Sequence, residues 1–375
     1  MPRNFSDGFF GIGNAIVDYY FEFADYADFP RECAAGKAHH VDSGEFKRII
    51  DNADSANSAI DGIDNPSDAN KKGCVSMFRE AGGSVFNSLK IISQLAAESG
   101  SKPESLVFVG AIGADNEGLF FSDRAKHFGI SFLTLPQKSE PHSGAQTGQC
   151  AFFKAKTGET AILASPGAAS HISARNVATG DVAEVIARSR CILFEAAHLA
   201  NHELTEKIVS SCIASRKPIA FLCGTVYGAG QLSEYMHSPT SIVNRESANT
   251  PPVFIFANAA EGQLLQNIPK VNCIYVETHG ESGGFAEDFL CGSKTAGQRF
   301  DYEANKPQIT AVGSADTTDE TGCGDAFAAA FLLEYFSMQS VPSASGFSGA
   351  NIPFALKKAA EVAGRVSLQK LCNLH

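Results

Sequence analysis

The sequence has no excess of positive charge and no long apolar run. Both absences narrow the class of protein to which the chain can belong. Its 375 residues include 30 Lys and Arg against 41 Asp and Glu, a formal net charge of -11, and no segment concentrates basic residues with aromatic ones. Nucleic acid is therefore not expected as a partner. No run approaches the roughly 18 apolar residues of a membrane span, and the N-terminal residues lack the pattern of a secretion signal. We expect a cytoplasmic protein with no membrane partner.

Familiar cysteine, nucleotide and metal motifs are also missing. The ten cysteines, from Cys33 to Cys372, include no C-x-x-C pair, so neither a disulfide framework nor a zinc ribbon is expected. No G-x-x-x-x-G-K-[ST] sequence occurs, and Ile16 stands where the dinucleotide fingerprint would have its third glycine. His198 and His202 have the spacing of metal ligands, but no further motif completes a site. We interpret them as surface or capping histidines.

What the sequence does have is a regular alternation of apolar runs and helical patterns. Strands covered on both faces are predicted at the almost wholly apolar runs 106–113, 191–196, 218–224, 253–259 and 273–278. Helical patterns at 181–190 and 201–216 lie between them, and Asn201 occupies an N-cap position. This alternation predicts a doubly wound α/β domain, with a mostly parallel central sheet flanked by helices. With 44% hydrophobic residues, the chain can form one such domain over residues 1–375.

Two segments depart from this alternation. Residues 147–169 have the pattern of a hairpin that turns at residues 156–159, and residues 10–26 have the pattern of extended chain. We expect parts of about 14–50 and 145–168 to form a small β-sheet lid over one edge of the large domain. The polar insertion at 51–73 shows no hydrophobic period and is predicted to be a mobile surface loop.

The stretch DETGCGDAFAAAF, residues 319–331, joins a glycine-rich turn to a buried helix. Gly322 and Gly324 let the backbone approach a ligand closely, and the N–H groups that open the helix point to the same place, which suits an anion. Asp325 stands at the helix entrance. A simple N-cap is the structural alternative, because Asp is a common capping residue. The two glycines, the preceding acidic pair and the small helix face favour a functional site.

Two further turns carry polar residues that suit ligand hydroxyls. In AGGSVFN, Gly83 and Ser84 open an amphipathic helix, and Asn87 lies one turn in, where the pattern otherwise indicates packing. A plain helix start is the alternative there. In GIGNAIVD, Asn14 and Asp18 lie four residues apart on one face of an extended strand, an arrangement that suits a diol.

The apolar run at 253–259 contains Asn258 near its end, and Glu261 follows three residues later. Ligands of open α/β sheets lie beyond the carboxyl ends of the strands, so Glu261 is placed to hold a metal-bound water. A helix-start glutamate favoured by the helix dipole is the simpler interpretation of Glu261 taken alone.

Taken in order, GIGNAIVD, GGSVFN, GAIGADNEG, NAAE, THGESG and DETGCGDAF resemble the successive motifs of the ribokinase-like (PfkB) carbohydrate kinases. The resemblance runs from about Gly11 to the C-terminal helix, and the opening motifs are most similar to the adenosine kinase branch. It implies a doubly wound fold with a β lid, and transfer of the ATP γ-phosphate to a hydroxymethyl group of a nucleoside or a sugar. Several members dimerise through the lid, so a homodimer is among the expectations.

The resemblance also assigns roles to individual positions. Asp325 would be the general base, and the amides of Gly322, Cys323 and Gly324 would form the anion hole for phosphoryl transfer. The nucleotide and its Mg²⁺, held through water, would be bound by Asn258, Glu261, Thr278 and Gly280. The substrate hydroxyls would be bound by Asn14, Asp18, Gly83, Ser84 and Asn87.

Three positions depart from the family pattern. The acidic Glu320 stands beside Asp319, where members build a monovalent-cation site, and it leaves the requirement for K⁺ open. Cys323 replaces a small residue, although its backbone amide is retained. Thr160 stands where many relatives have an arginine that reaches the phosphates.

Three functions are open at this point: a nucleoside kinase similar to adenosine kinase, a sugar kinase of the ribokinase or fructokinase type, and a nucleotide- or sugar-binding protein whose catalysis has lapsed. The first two share every motif. Aromatic residues at 19–26 and 150–155 could sandwich a purine, which favours a nucleoside, or could belong to the core. Intact Gly324 and Asp325 argue against lapsed catalysis.

Overall fold

The structure is a computed structural model that describes residues 8–58, 74–100, 105–134, 145–174, 180–244, 250–305, 322–338 and 347–372. Within these ranges the chain forms fourteen strands: β1 (Phe9–Ile12), β2 (Ile16–Phe23), β3 (Ala38–His40), β4 (Cys74–Gly82), β5 (Leu106–Gly110), β6 (Ile130–Thr134), β7 (Gly148–Ala155), β8 (Thr160–Ser165), β9 (Cys191–Glu195), β10 (Ile219–Leu222), β11 (Val253–Asn258), β12 (Cys273–Thr278), β13 (Gly284–Asp288) and β14 (Arg299–Tyr302).

The same ranges contain nine α-helices: α1 (Ser43–Ser58), α2 (Ser84–Glu98), α3 (Asn116–His127), α4 (Gly180–Arg188), α5 (His202–Ser215), α6 (Val226–His237), α7 (Ala259–Gly262), α8 (Cys323–Ser337) and α9 (Ile352–Cys372). Helix α5 begins as predicted, because the Asn201 side chain accepts the N–H of Leu204 at 3.1 Å. Of these described helices, none combines the length and apolar character needed to cross a membrane.

The central sheet has nine strands in the order β14-β13-β12-β11-β10-β9-β1-β5-β6. The strands from β12 to β6 run parallel, and β13 and β14 add an antiparallel edge. The five apolar runs of the sequence form β5, β9, β10, β11 and β12, as predicted. Every residue of β9 is buried, as expected for a strand with helices on both faces. The predicted doubly wound α/β class is therefore confirmed.

Alternate residues of the central strands enter two separate cores. On β1, Phe9 belongs to the core that includes buried residues of α2, α8 and α9, and its ring lies 6.2 Å from that of Phe336. Phe10 points to the opposite face and joins the core that includes buried residues of α4, α5 and α6. The two-residue period of a strand thus puts helices on both faces of the sheet.

A second, smaller sheet has five strands in the order β3-β8-β7-β2-β4. The predicted hairpin is present, since β7 and β8 pair antiparallel. The segment at 10–26 is not one continuous extended run: β1 belongs to the large sheet and β2 to the small one, and the chain passes between them at 13–15. Strand β4 lies outside both segments expected for the small sheet. That the small sheet acts as a lid stays a prediction.

The polar insertion at 51–73 begins inside a helix, so the prediction of a loop was wrong for its first residues. Helix α1 extends through residue 58. Its start carries the buried side chains Phe46, Ile49 and Ile50, whose three- and four-residue spacing is that of a helix face packed on a core. The helix continues from this face into the polar sequence. Residues 59–73 lie outside the described residues.

Candidate active site

The strand order of the large sheet reverses at β1, which lies between β9 and β5. From β1 the chain builds β5 and β6 on one side, and later β9 to β12 on the other. Such a reversal leaves a crevice beyond the carboxyl ends of the strands, where open α/β sheets bind ligands. Asn14 follows β1 and Glu195 ends β9, so both residues lie at this crevice.

Glu195 holds Asn14 from the neighbouring strand. Its carboxyl group accepts the Asn14 backbone N–H at 2.8 Å and the Asn14 side-chain amide at 2.5 Å. Glu195 is only 6% exposed. Burial raises its pKa to about 7, the hydrogen bonds from Asn14 act in the opposite direction, and the negative charge of Asp325 raises it further. Sequence reasoning missed Glu195, although an acidic residue near the end of an otherwise apolar run was a visible signal.

Two consecutive glycines let Asn14 and Asp18 approach the start of α2. A methyl group on Gly82 would lie 1.8 Å from Oδ2 of Asp18, and one on Gly83 would lie 2.0 Å from the carbonyl oxygen of Asn14. Gly83 also has a φ of 102°, a backbone angle that residues other than glycine rarely adopt. Asp18 is 7% exposed. Ser84 completes the turn, and its hydroxyl lies near Gly224, after β10.

Asp325 is not the N-cap of its helix. Gly322 holds that position with a left-handed φ of 78° and no side-chain cap, and Asp325 is the third residue of α8. The simple capping interpretation is therefore wrong, because a carboxylate inside the first turn projects beside the helix. It meets α2 there: Nδ2 of Asn87 donates to Oδ2 of Asp325 at 3.0 Å, and Oγ of Ser88 donates to the Asp325 carbonyl at 3.0 Å.

The first turn of α8 leaves room for a ligand. Its first backbone hydrogen bond within the helix runs from Ala326 N–H to the Gly322 carbonyl, at 3.0 Å, so the amides of Cys323 and Gly324 precede the helical ladder. Apart from the adjacent residues and the backbone of α8, no described atom lies within 4 Å of the place that a methyl group on Gly324 would occupy. The open space, the preceding amides and the positive end of the helix dipole suit an anion.

Asn258 and Glu261 cap one another at the start of α7. The Asn258 side chain accepts the Glu261 N–H at 2.9 Å, and Oε2 of Glu261 accepts the Asn258 N–H at 2.9 Å. Glu261 is 4% exposed. Burial raises its pKa, the hydrogen bond with Asn258 lowers it, and the charge of Asp325 raises it. This reciprocal capping box is the structural role considered for Glu261, and it engages one of the two carboxylate oxygens.

The predicted nucleotide residues lie on adjacent strands. Thr278 ends β12 directly opposite Asn258, and Gly280 follows with φ of 55°. Across the antiparallel edge, Thr278 pairs with Gly284, and Gly284 pairs with Tyr302. Beyond Tyr302 lies a groove of about 670 Å³ between the end of β14 and the side of α9. This row of paired residues leads from the crevice to the groove.

Some predicted features lie elsewhere. Asp319 and Glu320 lie outside the described residues, so the expected monovalent-cation site is not part of the structure described. Within the described ranges, no three His, Cys, Asp or Glu residues are grouped to hold a metal ion, and the nine cysteines from Cys33 to Cys323 are free thiols. The surface or capping interpretation of His198 was wrong: its side chain is buried, and Nε2 has no hydrogen-bond partner among the described residues.

Compared by sequence, the chain matches no protein-family model and no curated protein. By structure it is similar to a probable sugar kinase from Rhizobium etli, with 16% identity, a TM-score of 0.65, and coverage of 97% of this chain and 93% of that one. It is also similar to the adenosine kinase from Sinorhizobium meliloti, with 17% identity, a TM-score of 0.64, and coverage of 96% and 93%. A third similar structure is Anopheles gambiae adenosine kinase in complex with P1,P4-di(adenosine-5) tetraphosphate, at 15% identity, a TM-score of 0.66, and coverage of 96% and 99%.

The chain has the ribokinase-like fold. The resemblance inferred from the motifs is confirmed at this level, and the identities of 15–17% carry the likeness no further than the fold. On this ribokinase-like fold the motifs meet at the carboxyl edge of the large sheet. The positions described there are Asn14, Asp18, Gly83, Ser84, Asn87, Asn258, Glu261, Thr278, Gly280, Gly322, Cys323, Gly324 and Asp325.

Proposed function

We propose that this chain is a kinase that transfers the γ-phosphate of ATP to a hydroxymethyl group of a nucleoside, in the manner of an adenosine kinase. The contact between Asn87 and Asp325, 3.0 Å long, carries the proposal. It connects the first turn of α8 to the glycine turn, at which Asn14 and Asp18 converge. A hydroxymethyl group bound at this junction would be within reach of both a carboxylate and an anion-binding helix terminus.

Asp325 would act as the general base. Its carboxylate takes the proton of the hydroxymethyl oxygen as that oxygen bonds to the γ-phosphorus, and the bond from the γ-phosphorus to the bridging oxygen of ADP breaks. The amides of Gly322, Cys323 and Gly324 stabilise the charge on the transferred group. Glu261 would hold Mg²⁺ through a water molecule, and the ion would neutralise phosphate charge when ATP is bound.

A row of aromatic side chains on the small sheet favours a nucleoside over a free sugar. Tyr20 lies two residues beyond Asp18 on β2, so their side chains share one face. The Tyr20 ring stacks between Phe78 of β4 and Phe152 of β7, with centroids 4.6 and 5.1 Å away. Phe78 is 45% exposed. The row therefore offers apolar area to a planar base roughly 7 Å along the strand from Asp18.

The base of ATP is proposed to lie in the groove beyond Tyr302. Phe300, Tyr302, Leu356 and Ala360 give the groove an apolar side. The Tyr302 ring also packs on Phe327 of α8, with centroids 4.9 Å apart. The groove is thereby continuous with the helix whose first turn would receive the phosphates, which is the arrangement that an extended nucleotide requires.

Two other functions share part of this support. A sugar kinase would use the same base, anion site and hydroxyl-binding residues, and the aromatic row would then serve only for packing. A binding protein with lapsed catalysis would keep the nucleotide groove. Asp325 and Gly324 are both present, which favours an active enzyme over the second alternative.

The test is ATP-dependent phosphorylation of adenosine, 2′-deoxyadenosine, ribose and fructose. We expect adenosine to be phosphorylated at its 5′ position. The 2′-deoxy analogue should react about 10⁴-fold less well, because it leaves Asp18 without a buried hydroxyl partner. Tyr20→Ala should raise KM for adenosine, and Tyr26→Ala, at an exposed tyrosine outside the aromatic row, is the matched control.

The results separate the three functions. Equal rates with adenosine and 2′-deoxyadenosine would remove the role given to Asp18. Efficient turnover of ribose or fructose alone would establish the sugar kinase. Retained binding of ATP with no turnover of any acceptor would establish the binding protein.

A further inference from the structure

Glu277 lies behind the proposed nucleotide residues, on the face of β12 opposite to that of Thr278. Ile274 and Val276 of this strand belong to the core that includes buried residues of α8, whereas Tyr275 belongs to the core on the other face. Because side chains alternate along a strand, Glu277 points to the side of Tyr275, and Thr278 points to the side of α8. Any effect of Glu277 on ATP must therefore pass through the residues that it holds.

Both carboxylate oxygens of Glu277 have partners on the same strand face. The Tyr275 hydroxyl donates to Oε2 at 2.5 Å, and Nε2 of His279 lies 2.8 Å from Oε1. An ionised carboxylate only accepts, so Nε2 of His279 is the donor. Burial and the contact with Glu277 both raise the pKa of Tyr275, so its hydroxyl keeps its proton. Tyr275 is 2% exposed, and Glu277 thus ties a core residue to the chain that leaves β12.

Helix α7 approaches the same carboxylate from its carboxyl end. A methyl group on Gly262 would lie 2.3 Å from Oε2 and 2.5 Å from Cδ of Glu277. Only a residue without a side chain leaves room for this approach. Gly262 directly follows Glu261, which caps α7 together with Asn258. The Glu277 carboxylate therefore lies between the helix that carries Glu261 and the chain that follows β12.

His279 is fixed through its backbone as well as its side chain. Its N–H donates to the carbonyl of Gly283 at 2.7 Å, which closes the turn at 278–283. Its ring lies edge-on to Phe285 of β13, with centroids 5.8 Å apart. Thr278 and Gly280 flank it in the sequence. A displacement of His279 would therefore move both residues proposed to bind the nucleotide.

We propose that Glu277 is a positioning residue for ATP: it holds His279 and so fixes the turn at 278–283 against α7 before the nucleotide binds. A turn that is already ordered in the free protein need not be ordered on binding, so less of the binding free energy is lost. The inference rests on the proposed function in so far as ATP is the ligand. The hold of Glu277 on the turn does not depend on catalysis.

The first arm of the test is hydrogen exchange in the free protein. It follows the amides of Ser282 and Gly283, which donate within the turn. We expect Glu277→Ala to exchange about 10-fold faster at these amides, because the turn opens more often. Glu277→Gln should exchange almost as the wild type does. Its amide oxygen can accept from His279 while its amide nitrogen donates to the Tyr275 hydroxyl.

Glu287→Ala is the matched control for this arm. Glu287 is also a half-buried carboxylate of the antiparallel edge, with 23% of its side chain exposed against 16% for Glu277, and it pairs with Lys270 at 2.7 Å. The control should leave exchange at residues 278–283 unchanged. Equal exchange in the wild type and Glu277→Ala would overturn the proposal, and so would equal acceleration in Glu277→Ala and Glu287→Ala.

The second arm separates KM from kcat. Glu277→Ala should raise KM for ATP by about 10-fold, with little change in kcat at saturating ATP or in KM for the acceptor, because only nucleotide binding is weakened. Glu277→Gln should restore most of the affinity, and Glu287→Ala should leave it unchanged. A fall in kcat with unchanged KM for ATP would contradict the positioning role. Failure of glutamine to restore the affinity would contradict it as well.

The inference and the proposed function can fail separately. If the wild type phosphorylates no acceptor, the proposed kinase activity fails, and titration with a nonhydrolysable ATP analogue takes the place of KM. Absence of analogue binding would overturn the assignment to ATP. If Glu277→Ala does not fold, His279→Phe breaks the same contact from a partly exposed side chain and keeps a ring beside Phe285. The same changes in exchange and affinity are expected, and unchanged values would overturn the proposal.

Discussion

The carboxyl group of Glu195 accepts both hydrogen-bond donors of Asn14, which lies 181 residues earlier in the sequence. The contact bridges the ends of β1 and β9, where the sheet order reverses. The orientation of Asn14 therefore depends on the buried Glu195. If Asn14 binds the substrate as proposed, a change at Glu195 should alter substrate affinity.

Glu195→Gln should raise KM for the acceptor by about 10-fold, because an amide nitrogen cannot accept and leaves one Asn14 donor unmatched. Stability should change as well. The folded pKa of about 7 lies above the unfolded value of about 4.3, so Glu195 contributes stability at low pH that is lost as pH rises through about 7. Between about pH 4.3 and about pH 7, the free energy of unfolding measured in urea should decline less for Glu195→Gln than for the wild type. An unchanged KM and an unchanged pH slope would contradict this role.

His198→Phe should make folding stability less dependent on pH in the acidic range, whereas Glu195→Gln should do so toward neutral pH. Burial lowers the pKa of His198 to about 4, below the unfolded value of about 6.5. The unfolded chain therefore takes up a proton first, and His198 reduces stability as pH falls from about 6.5 to about 4, by up to about 3 kcal/mol. Phenylalanine cannot titrate and also removes the unpartnered Nε2. Denaturant unfolding at several pH values should show a shallower acid decline, and parallel curves would contradict the assignment.

Asp325→Asn should lower turnover by about 10²-fold or more with little change in ATP affinity, because the amide cannot take a proton. The Asn87 contact at 3.0 Å can persist, since an amide oxygen also accepts. Steady-state rates and ATP titrations are the measurements. Asp123→Asn, at an exposed position on α3, is the control. Near-normal turnover of Asp325→Asn would reject Asp325 as the base.

Gly324→Ala should leave the thermal midpoint almost unchanged while kcat/KM falls by about 10-fold or more. Apart from the adjacent residues and the backbone of α8, the methyl group would have no described atom within 4 Å, but it would occupy the space proposed for the phosphate. Gly230→Ala is a matched control, because a methyl group on that helical glycine would also enter open space among the described residues. Full activity of Gly324→Ala would show that no ligand approaches this turn.

Glu261→Gln should raise the Mg²⁺ concentration for half-maximal rate without loss of stability. Glutamine can still complete the capping box, whereas a neutral amide holds a metal-bound water less strongly. Glu261→Ala loses both functions and should unfold more easily by about 1 kcal/mol. An identical Mg²⁺ titration for the wild type and Glu261→Gln would leave Glu261 with its capping role alone.

Much of the fold could be predicted because strands covered on both faces leave a local trace. The runs that became β5, β9, β10, β11 and β12 are almost wholly apolar. The glycine turns could also be predicted from the sequence, because Gly83 and Gly322 adopt backbone angles that few other residues tolerate.

The contacts within the site could not be predicted in the same way. Asn87 was expected to face a ligand hydroxyl, yet its partner in the structure is Asp325, 238 residues later. Glu195 is a single charged residue, and its significance arises from its burial beside Asn14, which the fold brings close. Strand β4 was missed because the polar insertion precedes it directly and its sequence lacks the apolar run of a central strand.

The chain crosses between its two sheets at residues 13–15 and again at the glycine turn before α2, and neither crossing has a linker of its own. Asn14 is part of the first crossing and Gly83 of the second. Any rotation of the small sheet against the large one must turn these two peptide segments, and would so change the position of the residues proposed to bind the substrate hydroxyls. We therefore expect acceptor affinity to depend on the angle between the two sheets. A mutation that stiffens either crossing would change both.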